Sequence, residues 1–138
     1  MKLDEKPYYI LISKPNVTIF IGYMSTKSTG DKGEQLAKEF LLDKGYEILE
    51  ENYRYKRAEI DLICLNDNLL VFVEVKTLSS SKFNMPEARV NTHKERMIIQ
   101  AAENYIYSIN WQKDIRFDIL SIVLNQPPEF YHIEDAFY

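Results

Sequence analysis

The stretch AEIDLICLNDNLLVFVEVK, residues 58–76, predicts two strands joined by a tight turn at the centre of the chain. Both halves are rich in β-branched and large apolar residues, which favour strands. Between the halves lie Asn66, Asp67 and Asn68, and turns prefer these residue types. Residues 46–54 alternate loosely between apolar and polar and predict a further strand, so the middle of the chain is a meander.

Helical patterns lie on both sides of this meander. Residues 31–44 have apolar side chains at helical spacing, and residues 87–110 show the same spacing over a longer range, directly after Pro86. Residues 115–124 form a strongly β-branched segment, and residues 129–133 a weaker one, which predicts two more strands. The predicted order is α-β-β-β-α-β-β, an α/β (α+β) class of fold.

Composition limits the chain to one domain. Its 138 residues, 46% hydrophobic and 28% charged, are the size of one globular domain with one core. Ten Tyr and seven Phe beside only four Gly and five Pro argue against a disordered chain. The single cysteine, Cys64, excludes an internal disulfide framework and a cysteine-based zinc site, so we expect a cytoplasmic protein.

The net charge of −4 has the wrong sign for a protein that coats nucleic acid through its overall field. A local site can still bind a polyanion, because a divalent cation held by clustered carboxylates reverses the field around it. Basic residues also cluster, which makes a basic face on this acidic protein possible. They form two groups in the sequence: Arg54, Lys56 and Arg57, and Lys76, Lys82, Arg89, Lys94 and Arg96.

The first 24 residues allow two interpretations. The aromatic and β-branched run from Tyr8 to Tyr23 is broken at residues 14–16, so it is too short for a membrane span and poor as a signal peptide. It is either a short β segment packed on the domain or an extension upstream of a natural start at Met24. We favour residues 1–24 as an extension and residues 25–138 as a single domain, because the chemically informative residues lie downstream.

Glu74 and Lys76 are the first candidates for chemistry. They are two residues apart in an otherwise apolar strand, so both side chains point to the same face of the sheet. Charged groups in such a strand are costly to bury unless they are paired or bind a cation. The alternative is a simple salt bridge at the end of a strand.

Asp61 lies between apolar neighbours in the strand that should pair with the Glu74 strand. If the carboxylates of Asp61 and Glu74 converge, either one pKa rises or a hard cation occupies the site. Magnesium prefers oxygen ligands and is commonly held by one or two protein carboxylates together with substrate phosphate. Two acids at this place therefore suffice for a magnesium site.

Two further charged residues border apolar helical faces. Glu34 shares a face of the first helix with Ala37 and Leu41, and Lys94 falls in register with the apolar positions of the second helix. The structural alternatives are a first-turn glutamate favoured by the helix dipole and a lysine whose stem lies along the apolar surface.

Other polar residues give weaker signals. His93 and His132 have no partner at metal or triad spacing, which favours surface or satisfied-core roles, and Cys64 is expected to be a buried small hydrophobe. Asp118 is expected to pair with Arg116 or a neighbouring strand. No glycine-rich phosphate loop follows a strand, which argues against nucleoside-triphosphate chemistry.

Taken in order, these short motifs resemble those of a known family. Glu34 follows Gly33 on the first helix, Asp61 and Glu74 are 13 residues apart (74 − 61), and Lys94 stands on the second helix. The other matching segments are Asn52-Tyr53-Arg54, Glu59-Ile60-Asp61-Leu62-Ile63, Phe72-Val73-Glu74-Val75-Lys76 and Arg116-Phe117-Asp118. Over roughly residues 30 to 124 the chain resembles the YraN family, bacterial predicted endonucleases that are similar to archaeal Holliday junction resolvases within the PD-(D/E)xK nuclease superfamily.

The resemblance implies a restriction-endonuclease-like core, with a mixed central sheet flanked by helices and a metal site at its opened edge. Asp61 and Glu74 would bind Mg²⁺, or Mn²⁺ as a substitute, with the Val75 carbonyl as a further ligand. Lys76 would orient the attacking water and Glu34 would complete the acidic cluster. Phosphate contacts would come from Lys94, Arg54 and Arg57.

The chain departs from its relatives beside these residues. Ala58 stands where many relatives have glycine, and Thr77 and Leu78 stand where an arginine often follows the Glu-Val-Lys motif. A glycine often found in the segment Phe83-Asn84-Met85-Pro86 is also absent. The first two changes concern substrate contacts, and the third concerns the shape of the loop before the second helix. The expected metal ligands are intact.

Three functions compete at this point. The first is a structure-selective DNA endonuclease, with DNA a more probable substrate than RNA. The second is a nucleic-acid-binding module with the same fold and little catalysis of its own, and the third is a scaffold whose apolar N-terminal segment docks on a partner. A homodimer stays an open alternative, since cutting two strands at a junction needs two sites. No membrane association is expected.

Overall fold

A computed structural model describes residues 10–14, 17–21, 29–78 and 91–138. The described residues form two helices and seven strands. They are β1 (Ile10–Lys14), β2 (Val17–Ile21), α1 (Thr29–Asp43), β3 (Glu47–Tyr55), β4 (Ala58–Asn66), β5 (Leu69–Leu78), α2 (Thr92–Ser108), β6 (Ile115–Val123) and β7 (Glu129–Ile133). From α1 onward, the order is the predicted α-β-β-β-α-β-β.

All seven strands belong to one sheet in the order β1-β2-β7-β6-β5-β4-β3. β5 and β6 are parallel and the other neighbours are antiparallel, so the sheet is mixed. The parallel pair is joined through α2, as a parallel connection requires a crossover. The predicted class, an α+β fold with a mixed sheet and two helices, is confirmed and is compatible with a restriction-endonuclease-like core.

The two helices cover opposite faces of the sheet. Phe40 and Leu41 of α1 pack in one buried cluster with Val73 of β5. Ala101 and Tyr105 of α2 pack in a second cluster, which includes Ile60, Phe72 and Phe117 from the other face. Each apolar helical stripe seen in the sequence therefore becomes one layer of the core.

The second helix begins later than the sequence predicted. Its N-cap is Asn91, whose extended backbone (φ −65°, ψ 153°) lies outside the helix and whose side-chain oxygen accepts a hydrogen bond from the Lys94 N–H at 2.9 Å. This cap satisfies a donor of the first turn. The predicted start after Pro86 is therefore wrong for Asn91; residues 79–90, including Pro86, lie outside the described residues.

The N-terminal segment joins the sheet. β1 and β2 form a hairpin, and β2 pairs with β7 through five residue positions, from Val17↔Ile133 to Ile21↔Glu129. This pairing is the arrangement that the first interpretation, a short β segment packed on the domain, describes. The favoured interpretation of residues 1–24 as an extension stays a prediction. The position of the natural start, at Met1 or Met24, stays a prediction.

β4 changes its facing pattern at Asp61. Ile60 and Ile63 both pack on the α2 side, whereas Leu62 packs on the α1 side. In a regular strand Ile60 and Leu62 would share a face, so the alternation is interrupted between these two residues. In β3, Asn52 stands between the residues paired with Ile60 and Leu62, and it has a left-handed φ of 51°. Pairing between β4 and β5 runs only from Asn66↔Leu69 to Leu62↔Val73. The sheet therefore opens between these strands at Asp61.

Candidate active site

Asp61 and Glu74 line one cavity of about 420 Å³ at the place where β4 and β5 part. The other side is formed by the beginning of α2. Its remaining polar lining residues are Arg57, Glu59, Asn91, His93 and Lys94. The sequence-based expectation that Asp61 and Glu74 are cross-strand neighbours agrees with this geometry.

Asp61 is fixed by the backbone of the neighbouring strand. The Val75 N–H donates a hydrogen bond to Asp61 Oδ2 at 2.7 Å. The pKa of the Asp61 carboxyl is raised to about 7. Burial is the largest cause, and the negative charge of Glu74 and a hydrogen bond with it add to the increase, against the lowering effects of the Val75 N–H and the charge of Lys94. In the cation-free protein, the raised pKa therefore has the Asp61 carboxyl titrate near neutral pH.

Glu74 is almost fully buried, with 5% of its surface exposed. Its Oε1 forms an ion pair with Nζ of Lys94, which reaches back from the first turn of α2. The Lys94 side chain is 49% exposed, so the lysine joins the buried acid to the open side of the cavity. The alternative of a stem lying along apolar surface does not describe this contact.

Lys76 follows Glu74 on the same face of β5. Burial lowers the pKa of its ammonium group; the charge of Glu74 opposes this effect and the charge of Lys94 adds to it. Opposite Lys76 on β6 stands Ser121, whose hydroxyl is buried and has no hydrogen-bond partner in the part of the chain that the structure describes.

Glu34 is exposed at the beginning of α1, and no contact joins it to Asp61 or Glu74 among the described residues. Within residues 29–78 and 91–138, no group of three or more His, Cys, Asp or Glu side chains is gathered closely enough to hold a metal ion. The described acidic cluster is thus a pair. Gly33, the neighbour of Glu34, packs against Thr77 at the end of β5, which fixes this end of α1 to the strand that carries Glu74.

The two arginines expected to bind substrate have different surroundings. Arg57 is exposed at the tip of the β3–β4 hairpin and lines the cavity. Arg54 forms an ion pair with Glu59, Nε to Oε2 at 2.9 Å, and its side chain is largely exposed. Arg57 is therefore beside the acid pair, and Arg54 is linked to the cavity through Glu59.

Sequence reasoning missed three lining residues. His93, Asn91 and Glu59 line the cavity, and none of them was a candidate site residue, although Glu59 belongs to the matching segment around Asp61. His93 in particular was expected to have a surface or core role. His93 and Asp61 line one cavity because α2 packs on β4, and they are 32 positions apart in the sequence (93 − 61), so a local pattern carries no such information.

His132 and Asp118 belong to a buried polar cluster elsewhere in the sheet. His132 Nε2 lies 2.8 Å from Asp118 Oδ2 and its Nδ1 lies 2.9 Å from Lys44 Nζ. Arg116 donates to both Asp118 oxygens, at 2.7 and 2.8 Å, and to the Tyr46 hydroxyl at 2.7 Å. The expected structural roles of His132 and Asp118 are confirmed, and Cys64 is a buried thiol, also as expected. We call the five polar residues joined by these contacts the Asp118 cluster: Lys44, Tyr46, Arg116, Asp118 and His132.

The donor chemistry of the cavity fits a hard divalent cation. Two carboxylates that line the same cavity, one of them with a raised pKa, supply the oxygen ligands that Mg²⁺ prefers. The carbonyl of Val75 lies on the strand between Glu74 and Lys76. A cation at this place would offset both the cost of burying the Asp61 carboxylate and its repulsion by Glu74.

A mixed sheet that opens beside an acid pair and two lysines, with one helix on each face, places the protein in the class of α+β domains compatible with a restriction-endonuclease-like core. Comparison with known proteins gives the family. The model of the uncharacterised protein family UPF0102 matches residues 33–122, and this chain belongs to that family. All candidate site residues lie within the matched range.

Relatives in the same family occur in several bacteria. The UPF0102 protein of Natranaerobius thermophilus is 43% identical over 119 residues, covering 83% of this chain and 100% of the relative. Those of Caldanaerobacter subterraneus subsp. tengcongensis and Flavobacterium psychrophilum are 46% and 45% identical, covering 74% and 79% of this chain and 84% and 92% of the relatives. The family assignment from the short motifs is therefore confirmed.

In the described part of the chain, neither helix combines the length and the apolar character that a membrane crossing demands.

Proposed function

We propose that this protein hydrolyses phosphodiester bonds in nucleic acid with the help of a divalent cation, as a structure-selective DNA endonuclease. The observation that carries the proposal is the Asp61–Glu74 pair in an open cavity, with Lys94 bound to Glu74 and Lys76 on the same face. Hydrolysis of a phosphodiester needs a nucleophile near neutral pH and neutralisation of growing negative charge. The residues of this cavity match both needs.

Asp61 and Glu74 would hold Mg²⁺ or Mn²⁺, with the Val75 carbonyl as a further ligand. When bound, the cation would supply Lewis-acid stabilisation and a water of lowered pKa. The Val75 N–H keeps the Asp61 carboxylate oriented. Since Glu74 is buried and lines the cavity, solvent screens its charge only weakly, and its attraction for a cation in the cavity is correspondingly strong.

The lysines and arginines would act on the substrate. Lys76 has a lowered pKa, which suits a group that orients the attacking water and exchanges a proton with it. Lys94 is held by Glu74 at the open side of the cavity, where it would bind the phosphate. Arg57 lines the same cavity and would contact a neighbouring phosphate, with Arg54 farther out. Glu34 would act through water, as an outer member of the acidic group.

The test is cleavage of labelled duplex, branched, flap and single-stranded DNA and RNA with Mg²⁺, Mn²⁺ or EDTA. Asp61→Asn and Glu74→Gln should each lower the cleavage rate by at least about 100-fold, the usual scale for losing a key electrostatic group. The matched control is Asp67→Asn, an exposed acid of the β4–β5 turn whose left-handed φ of 53° asparagine tolerates. Undiminished cleavage by both site variants would refute the proposal.

A nucleic-acid-binding module without turnover is the second candidate, and one observation favours it. Lys94 already neutralises Glu74, and the described residues add no third ligand to the acid pair. This function predicts salt-sensitive binding of branched or single-stranded nucleic acid, with no metal-dependent product. An inert wild type that still binds would make it the better description.

A further inference from the structure

A groove runs along α2 directly beside the candidate active site. It is a hollow of about 290 Å³ lined by Tyr55, Lys56, Gln100, Glu103, Asn104 and Tyr107, and we call it the α2 groove. Glu103 and Tyr107 also line the next hollow, of about 290 Å³, which ends at Trp111. The two hollows therefore follow one another along α2 from Gln100 to Trp111, just beyond the end of the helix.

The hairpin tip is the wall between the groove and the active-site cavity. Lys56 lines the groove, whereas the next residue, Arg57, lines the cavity. On α2, Met97 lines the cavity and Gln100, about 4.5 Å farther along the helix axis, lines the groove. A chain of phosphates leaving the acid pair therefore passes two adjacent positive charges before it enters the groove.

The groove exposes aromatic surface that the fold does not use. Tyr107 is 89% exposed, while Tyr105, two residues earlier, is buried in the core. Tyr55 is half-buried against the core, and Lys56 Nζ lies 5.3 Å from the centroid of its ring. An exposed ring and a nearby cation are the two elements with which proteins bind unpaired bases and the phosphates between them.

Length and charge match a short single strand. From Met97 to Tyr107 the helix rises about 15 Å, roughly four stacked nucleotides at about 3.4 Å each. Among the residues that line the groove, the acid is Glu103 on α2, and the cation is Lys56 on the β3–β4 hairpin. Phosphates would face Lys56 and Arg57, and bases would face Tyr107.

We propose that the α2 groove binds an unpaired DNA segment next to the scissile phosphate, with a base stacked on Tyr107. The inference rests on the proposed function in that it names the substrate class of the same site: DNA in which duplex and single strand meet. An uninterrupted duplex offers no free base to Tyr107, so the groove selects for junctions, flaps or frayed ends.

The test measures binding by the full chain in EDTA, so that it does not depend on cleavage. Fluorescent DNA duplexes are compared with and without an unpaired tail of about five nucleotides. Tyr107→Ala should weaken binding of the tailed DNA about tenfold, the scale of losing one base–aromatic stack, and leave blunt duplex binding unchanged. Tyr107→Phe should retain the wild-type affinity, because the ring remains.

Two further variants sharpen the result. Tyr138→Ala removes a tyrosine of similar exposure, 82%, outside the groove and should have no effect on tailed DNA. Glu103→Gln removes the negative charge of the groove and should tighten the binding of tailed DNA. Equal losses in Tyr107→Ala and Tyr138→Ala would overturn the proposal.

Other outcomes assign the surface differently. Tighter binding of an RNA tail than of a DNA tail would overturn the choice of DNA. A change from dimer to monomer in Tyr107→Ala, without a change in DNA affinity, would make the groove a protein interface. If wild type cleaves DNA and Tyr107→Ala cleaves tailed and blunt substrates equally well, the groove proposal fails and the nuclease proposal stands. If binding depends on the tail and on Tyr107 but the wild type cleaves no substrate, the groove proposal stands and the nuclease proposal fails.

Discussion

At the scale of single residues, Asp61 shows how a strand supplies a reactive carboxylate. The β4–β5 ladder stops at Leu62↔Val73, so the Val75 N–H has no strand partner in β4 and bonds instead to the Asp61 side chain. This hydrogen bond lowers the pKa of Asp61, yet burial and Glu74 raise it more strongly. The site thus stores an unfavourable charge that a cation or a proton relieves.

The first prediction concerns pH and stability in EDTA. The pKa of Asp61 is raised to about 7 in the folded protein from an ordinary value of 3.8, so its contribution to stability is present below the unfolded pKa and lost as pH rises through about 7. Asp61→Asn should therefore raise Tm at pH 8, on the order of 5 °C, and have little effect at pH 4. Thermal unfolding, monitored by circular dichroism, measures the change in Tm at each pH.

Magnesium supplies the control for this prediction. Added Mg²⁺ should raise the Tm of the wild type at pH 8, because ligand binding to the native state stabilises it, and should leave Asp61→Asn unchanged. An Asn variant that is less stable than wild type at pH 8 in EDTA would show that Asp61 carries no such stored charge.

Part of the site was predictable at this scale. The two-residue period of a strand placed Glu74 and Lys76 on one face, and the short turn after Asn66 placed Asp61 near Glu74. The break in alternation at Asp61 was not predictable, since the left-handed Asn52 that stands opposite Asp61 belongs to another strand. Nor was the approach of His93, which depends on how α2 crosses the sheet.

At the scale of elements, the contact between α1 and β5 depends on one missing methyl group. Gly33 is buried, and a Cβ at this position would overlap the hydroxyl and methyl groups of Thr77. Glycine in a helix costs stability relative to alanine, so its presence here has a packing reason. The close approach brings Glu34 to the end of the strand that carries Glu74 and Lys76.

The second prediction tests this contact. Gly33→Ala should lower the free energy of unfolding by about 1–3 kcal/mol, the usual cost of overpacking, despite the better helix propensity of alanine. Chemical denaturation measures this loss. In a matched double variant, Gly33→Ala with Thr77→Ala, most of the lost stability should be restored, because the shorter side chain at position 77 removes the overlap. A stabilising Gly33→Ala would mean that α1 moves away at no cost.

Helix boundaries show what element patterns miss. The apolar spacing of residues 87–110 predicted the α2 face correctly from Met97 to Tyr105, but it placed the start too early. Asn91 is the last non-helical residue, and its side chain accepts the hydrogen bond of the Lys94 N–H. The periodic pattern of apolar residues gives the face of a helix but does not by itself give the residue at which the helix begins. The end at Ser108 lies within two residues of the prediction.

At the scale of the whole molecule, the Asp118 cluster joins parts of the chain that are far apart in sequence. It links Lys44 and Tyr46 after α1 to β6 and β7, and Asp118 Oδ1 also accepts the Asp135 N–H at 3.1 Å. Burial alone would raise the pKa of Asp118, but hydrogen bonds from His132 and Arg116 and their charges lower it. The cluster holds the C-terminal segment on the sheet.

The third prediction follows from this lowered pKa. Asp118→Asn should lower the free energy of unfolding by about 3 to 5 kcal/mol at pH 7, because it leaves Arg116 without its buried partner. The contribution of a carboxylate with a lowered pKa is present above its ordinary value and lost as pH falls, so the difference should shrink below about pH 4. Urea denaturation at pH 7 and pH 3 tests both. A constant difference would contradict the charge-based account.

The fourth prediction concerns the N-terminal hairpin. Without residues 1–23, β7 would lose its β2 partner and become an edge strand with unpaired backbone groups. A chain that begins at Met24 should have a Tm lower by roughly 5 °C and should self-associate at high concentration. Size-exclusion chromatography with light scattering detects the association. An unchanged, monomeric and equally stable protein would support residues 1–24 as an extension outside the domain.

The hydrogen bond from the Val75 amide to Asp61 gives the protein a built-in spectroscopic reporter. The amide proton sits on the carboxylate that we expect to exchange a proton for a cation, so its nuclear magnetic resonance frequency should shift whenever that exchange occurs. Titration of an isotope-labelled sample would then follow occupancy at one backbone position, without any substrate, dye or coloured metal. The same peak would give the apparent ionisation constant of the acid pair directly.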